Sequence, residues 1–182
     1  MMSAMTVASM VLVGCGAKTF VVYSPGENLT SLTKVNESEY VCFSRCGGDD
    51  GRNLFFVVQD KAGFQNIYRK DVPTSMSMSQ ITGGHNFNSA PSYCVATNSL
   101  VFSGKLTGSS VHDIYMVNAT QGGALKQITN TSDYEEFTPC ISGDGSKILY
   151  TKGLRETDAK SYEIWVKNLM TNENTQLGLG CN

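Results

Sequence analysis

Apolar residues along this chain come in short runs separated by turn residues, and where they alternate with polar ones the period is two. One run reads Val41-Cys42-Phe43-Ser44, Pro91-Ser92-Tyr93-Cys94 and Pro139-Cys140-Ile141-Ser142. Turn residues follow each: Asp49-Asp50-Gly51, Asn98-Ser99 and Gly143-Asp144-Gly145, types that accept the positive φ of a tight hairpin. Next come Leu54 to Val58, Leu100 to Ser103 and Ile148 to Thr151, with an aromatic at matching places (Phe56, Phe102, Tyr150). A third run is Asn66-Ile67-Tyr68, Asp113-Ile114-Tyr115 and Glu163-Ile164-Trp165. A fourth is Met76 to Thr82, Leu125 to Thr129 and Thr175 to Leu177. Met76, Met78 and Gln80 alternate with serines, which predicts a strand. No stretch sustains the i, i+3, i+4, i+7 pattern of a helix.

The runs are set in a repeat. Leu32-Thr33, Ile81-Thr82, Ile128-Thr129 and Leu177-Gly178 stand 49, 47 and 49 residues apart. A period of about 40 to 50 residues with four short strands per unit predicts the blades of a propeller. The units are residues 34–82, 83–129 and 130–178. Before them, Phe20 to Tyr23 and Leu29 to Thr33 read as the last two strands of an earlier blade, a half blade over 19–33. The fold class is therefore all-β, a partial β-propeller of about three and a half four-stranded antiparallel blades over 19–182. Closed propellers have typically four to eight blades. Three explanations follow: a fragment of a longer propeller, closure by self-association or a partner chain, or a compact form in which the half blade covers the last edge.

The first fifteen residues have a different character. Ala4 to Val13 is an apolar run of ten, too short to cross a bilayer and suited to the centre of a secretory signal. It ends in Leu12-Val13-Gly14-Cys15, which resembles the bacterial lipobox. That resemblance implies a signal peptide over 1–14, lipidation of Cys15, a tether over 15–18 and a place in the bacterial cell envelope, on the periplasmic face of the outer membrane because Gly16 follows the cysteine. The first basic residue is Lys18, whereas such a signal ordinarily opens with Lys or Arg.

Asp113-Ile114-Tyr115-Met116-Val117, Gln121-Gly122-Gly123, Gln127-Ile128-Thr129 and Pro139 through Tyr150 resemble the TolB-type β-propeller repeat, and the similarity runs over roughly residues 19 to 178. The first unit departs from it, with Val41 in place of the proline. The resemblance implies fold more than function, since periplasmic TolB, prolyl-peptidase caps and lyases carry such propellers.

Charge narrows the partners. With 14 basic and 16 acidic side chains there is no basic excess for nucleic acid. Past Cys15 the cysteines are Cys42, Cys46, Cys94, Cys140 and Cys181. They contain no Cys-x-x-Cys pair, so small buried residues are expected rather than a metal site. No nucleophile elbow, zinc-protease helix, phosphate loop or dinucleotide fingerprint occurs. His85 and His112 fall in loops, and Asp133, Glu135 and Glu136 read as a solvated acidic loop. No cofactor, metal or catalytic residue is assigned. Phe64, Phe87, Tyr134 and Tyr162 fall in or beside connections, where they either anchor a protein or glycan or plug gaps between blades. The expectation is a non-enzymatic, lipid-anchored protein-interaction module with a protein partner in the envelope. The alternative is the propeller portion of a carbohydrate-active or peptidase-type enzyme, or a fragment of a longer propeller.

Overall fold

A computed structural model describes residues 10–11, 21–22, 41–47, 53–71, 78–84, 86–120, 123–154 and 162–179. The chain divides into two compact units, Met1–Val41 and Cys42–Asn182. In the first, β1 (Met10–Val11) pairs antiparallel with β2 (Val21–Val22), Met10 opposite Val22. The second half of the predicted half blade, Leu29 to Thr33, lies outside the described residues, as does the turn Asp49-Asp50-Gly51.

The larger unit is built of three groups of four strands, each in chain order. The first is β3 (Val41–Gly47), β4 (Asn53–Gln59), β5 (Gln65–Asp71) and β6 (Met78–Gln80). The second is β7 (Phe87–Cys94), β8 (Ser99–Lys105), β9 (Asp113–Asn118) and β10 (Lys126–Gln127). The third is β11 (Tyr134–Ile141), β12 (Lys147–Leu154), β13 (Glu163–Asn168) and β14 (Asn174–Leu179). A single parallel bridge, Gln65 to Phe87, joins the first blade to the second. Among the described residues there is no helix, and the sheets do not close into a ring.

The hydrophobic pattern explains which faces are covered. Leu54 to Val58 in β4 and Leu100 to Gly104 in β8 are buried at every position, because both faces of those strands are packed. Phe55, Val57, Ile67 and Ile81 meet Leu100, Phe102, Tyr115 and Val117 between the first two blades. Cys94, Val101 and Ile114 meet Ile141, Ile148 and Tyr150 between the second and third. In β12 the burial alternates instead: Ile148 and Tyr150 are buried, while Leu149 between them is 41% exposed. Among the described residues, the third blade is covered on one face only.

The Ile-Thr steps have a structural cause. The amides of Ile81 and Thr82 both donate to the Ile67 carbonyl, at 2.8 and 3.3 Å, and Thr82 Oγ1 accepts the Ile67 amide at 2.9 Å. Ile128, Thr129 and Ile114 repeat the arrangement with 2.8, 3.3 and 2.8 Å. A side-chain hydroxyl thus closes the fourth strand on the third.

The first strand of a blade starts earlier than its proline suggests. β7 and β11 begin at Phe87 and Tyr134, and each carries a register shift just before Pro91 and Pro139. Ala90 and Thr138 adopt φ of 49° and 48° there. Such bulges bend a strand and leave a position where proline's missing N–H costs nothing.

The hairpin of the third blade is fixed by Asp144. It accepts hydrogen bonds from the Ser142 hydroxyl at 2.6 Å and the Ser146 amide at 3.0 Å, which hold its carboxyl down to about 2. Gly145 follows at φ +73°, and a Cβ there would lie 2.5 Å from Thr97 Cγ2. Gly145→Ala should therefore cost about 2 kcal/mol, the left-handed backbone and the overlap both contributing. Urea unfolding followed by circular dichroism measures it; an unchanged midpoint would mean the hairpin relaxes without cost.

Candidate functional site

Polar side chains are buried where one blade passes to the next, and the two seams use different chemistry in one geometry. At the first, Asn88 of β7 enters between Asn66 and Thr82. Its Nδ2 donates to the Gln65 carbonyl at 3.2 Å, Thr82 Oγ1 at 3.1 Å and Asn66 Oδ1 at 3.4 Å. The Thr82 hydroxyl donates to Asn66 Oδ1 at 3.3 Å. Gly104, cross-strand from Asn88, makes the room, since a Cβ there would lie 2.9 Å from Asn88 Oδ1.

At the second seam the same repeat positions hold Asp113, Thr129 and Glu136. Asp113 accepts from the Thr131 amide at 3.1 Å and Gln127 Nε2 at 3.0 Å. Glu136 is completely buried, and neither of its carboxylate oxygens receives a hydrogen bond. Burial, above all, pushes its carboxyl up to about 7. The Thr129 hydroxyl opposes this, while the Asp113 carboxyl adds to it as an acceptor for the protonated form and as a like charge; Lys152 opposes it weakly. Burial pushes the Tyr115 and Tyr150 phenols up to about 12, helped at Tyr115 by Asp113 and Glu136 and at Tyr150 by Glu136. Beside them the His112 amide and Nδ1 both lie 2.8 Å from Glu135 Oε2, and the Glu136 amide donates to the His112 carbonyl at 3.0 Å. Of the acidic cluster expected as a solvated loop, Asp133 is exposed ahead of the strand, whereas Glu135 and Glu136 lie in β11 and Glu136 is inside the protein. Its signal was present: Glu136 stands three residues before Pro139, as Asn88 does before Pro91.

The four aromatics separate into two places. Phe64 and Phe87 face each other across the first seam, ring centres 5.7 Å apart, with Phe87 41% exposed. Tyr134 lies under the Lys152 ammonium, 4.1 Å from its centroid, and Trp165 shares that cation at 5.3 Å. Tyr162 covers Gly153 on the other side of β12, where a Cβ would come within 2.6 Å of the ring. A cavity of about 200 Å³ opens near the first seam, walled by Ile81, Phe102, Leu106, Val117 and Leu125 with Asn88 at its polar side. Cys94 is buried with Sγ 3.2 Å from the Gly143 carbonyl, whereas Cys140 is exposed. Cys15 lies outside the described residues. Among the described residues no three His, Cys, Asp or Glu side chains are grouped to hold a metal.

Four-stranded blades, packed face to face with bulged inner strands and polar seams, define a β-propeller protein. Within that class the chain belongs to the family described as dipeptidyl peptidase IV (DPP IV) N-terminal region, which it matches over residues 9–154. Its fold is similar to that of a putative TolB from Agrobacterium tumefaciens (TM-score 0.77, 14% identity, 96% of this chain and 61% of that one). An oligogalacturonate lyase from Vibrio parahaemolyticus is also similar (TM-score 0.64, 14% identity, 90% and 50%). So is dipeptidyl peptidase 4 from Porphyromonas gingivalis (TM-score 0.60, 11% identity, 95% and 30%). The chain spans 61% or less of the length of each of these proteins. No curated protein matches it in sequence. These identities show the fold alone.

The expectation of a non-enzyme is corrected by this membership. The family is named for the N-terminal region of a peptidase, and the lyase and the dipeptidyl peptidase are enzymes. Missing catalytic motifs were the ground for that expectation. They are a poor ground in a propeller, whose blades can serve chemistry that another segment carries out.

Proposed function

We propose that this chain is the propeller portion of a lipid-anchored envelope protein and acts as a protein-interaction module for a peptidase-type enzyme, holding a polypeptide or a neighbouring domain against its blades. The observation that carries this is the open face of the third blade. Val101 and Ile114 of the second blade are sealed from solvent by the third. Their counterparts one repeat later are Leu149, which is 41% exposed, and Ile164, which is half-buried. They share a face with Phe137, Thr151 and Val166 through the β11–β12–β13 register. A repeat surface built to be covered, and left uncovered by the described residues, favours a further protein surface there. That surface is another blade, a partner domain or a second copy.

A photo-crosslinking residue in place of Leu149 should trap a polypeptide in intact cells, whereas one in place of Met170, an exposed turn residue, should not. Equal trapping at the two positions, or none at either, sinks the proposal.

Anchoring rests on the Leu12-Val13-Gly14-Cys15 sequence and has its own test. Cys15→Ser should leave the chain unprocessed and release it from membranes on fractionation. Unchanged membrane retention would count against the anchor. Cleavage before Cys15 would also remove β1, so the mass of the mature chain reports whether the β1–β2 ladder belongs to the working protein.

A further inference from the structure

The second seam keeps the acceptors of the first and lacks its donor. Where the Asn88 side-chain amide serves the Gln65 carbonyl, Asn66 and Thr82, the Glu136 side chain lies against the corresponding Asp113 and Thr129, and the His112 carbonyl is served by the Glu136 backbone amide instead. An ionised Glu136 would bring a second carboxylate into this buried place, where its oxygens receive no hydrogen bond and only the nearby Thr129 hydroxyl and the more distant Lys152 favour the charge. Lys152 relieves it only weakly. Although cross-strand from Glu136, its ammonium rests on the Tyr134 and Trp165 rings, and Glu136 receives no hydrogen bond from it. Glu163 stands opposite Lys152 on its other side, its Oε2 accepting from Trp165 Nε1 at 2.8 Å. From the second blade come Tyr115 and Asp113, and from the third Tyr150; the adjacent His112 and Glu135 are paired with each other. The Asp113 oxygens already accept from Gln127 and Thr131.

We propose that Glu136 and Asp113 share one proton across the seam, that this proton does between the second and third blades what the Asn88 amide does between the first and second, and that its loss to solvent loosens their contact. A carboxyl pair too close for both members to ionise is the general form of such a device. The folded chain keeps the Glu136 proton up to about pH 7, while in the unfolded chain Glu136 loses it near its ordinary 4.5. Stability from this group is therefore complete below pH 4.5, falls as pH rises through 7, and is level above that. Elsewhere the seam is held by the apolar layer of Val101, Ile114, Ile141 and Ile148 and by the Ile141 amide on Ser92 Oγ at 3.2 Å, which carry no titrating group. Loosening should therefore be local: the third blade, covered by the described residues on one face only, is the element free to move.

The test is the unfolding equilibrium of the full chain between pH 5 and 9, for the wild type, Glu136→Gln and Asp113→Asn. Relative to Glu136→Gln, the wild-type unfolding constant should rise roughly 100-fold from pH 5 to 7.5 and then stay constant. Glu136→Gln supplies an amide at every pH, as Asn88 does, and should lack that rise. Asp113→Asn offers Glu136 a donor, so the fall in stability should move to lower pH. Infrared difference spectra give a second readout: a protonated carboxyl band present at pH 6, lost at pH 9 and missing from Glu136→Gln. A Glu136→Gln protein with the wild-type pH slope, or a wild type without the carboxyl band at pH 6, overturns the proposal. So does stabilisation of the wild type by calcium chloride at pH 8 that Glu136→Gln abolishes, since a cation would then sit where the proton is placed.

Discussion

Phe102→Ala should destabilise the chain by about 3–5 kcal/mol, measured by urea unfolding at constant pH. The ring is fully buried in β8, stacked on Tyr115 with centroids 5.9 Å apart and packed among Phe55, Leu100 and Val117. Its loss removes apolar contacts from the layer between the first two blades. It also enlarges a space that exists already, because Phe102 walls the cavity of about 200 Å³. Volume added to a cavity that strand pairing holds open cannot be recovered by collapse, which places the cost toward the upper part of that range. Leu149→Ala, next to Tyr150, the counterpart of Phe102 in the following repeat, is the control. Leu149 is 41% exposed, so the isolated chain should lose no more than about 1 kcal/mol. A cost for Phe102→Ala no larger than for Leu149→Ala would mean that the blades are not packed on one another as described.

The contrast between those two residues marks how far the sequence could be read. Ile81-Thr82 and Ile128-Thr129 are visible as a period because each dipeptide makes the same local closure, on Ile67 and on Ile114, whatever lies around it. Local requirements of that kind leave a mark at fixed spacing. The bulge before each proline is less legible. Pro91 and Pro139 look like strand starts, yet strands run on through Ala90 and Thr138 at positive φ. Glu136 is the furthest from view. Its neighbours Asp133 and Glu135 are charged, and a run of acids ordinarily reads as solvated; what buries it is the second blade, a contact no local pattern encodes. Repeat alignment with Asn88 is the one feature that pointed inside. Propeller chemistry is hidden for a related reason. The blades are specified by packing and turns, and the same blades accompany a peptidase, a lyase and TolB.

Thr82→Val should cost about 2–4 kcal/mol although it preserves shape and adds no polar group. The hydroxyl has three tasks: it accepts the Ile67 amide at 2.9 Å, accepts Asn88 Nδ2 at 3.1 Å and donates to Asn66 Oδ1 at 3.3 Å. Valine leaves a buried backbone N–H without its partner, a penalty of about 1–3 kcal/mol by itself. Part of the Asn88 and Asn66 hydrogen bonding goes with it, in a seam where Asn88 is 1% exposed and water cannot replace what is lost. Thr82→Ser keeps the oxygen and should restore most of the stability, losing about 1 kcal/mol or less for the methyl group. That pair of variants separates the hydrogen bonds from the packing. The corresponding Thr129→Val should remove the same backbone partner, that of Ile114, but with a pH dependence Thr82→Val lacks. The Thr129 hydroxyl favours the ionised form of Glu136, so its removal should raise the Glu136 carboxyl further and carry the loss of stability to higher pH. A penalty for Thr82→Ser with none for Thr82→Val would show that the Ile-Thr step is kept for its shape. A penalty confined to valine ties the repeat itself to the hydroxyl, the one atom common to the strand closure and to both polar seams.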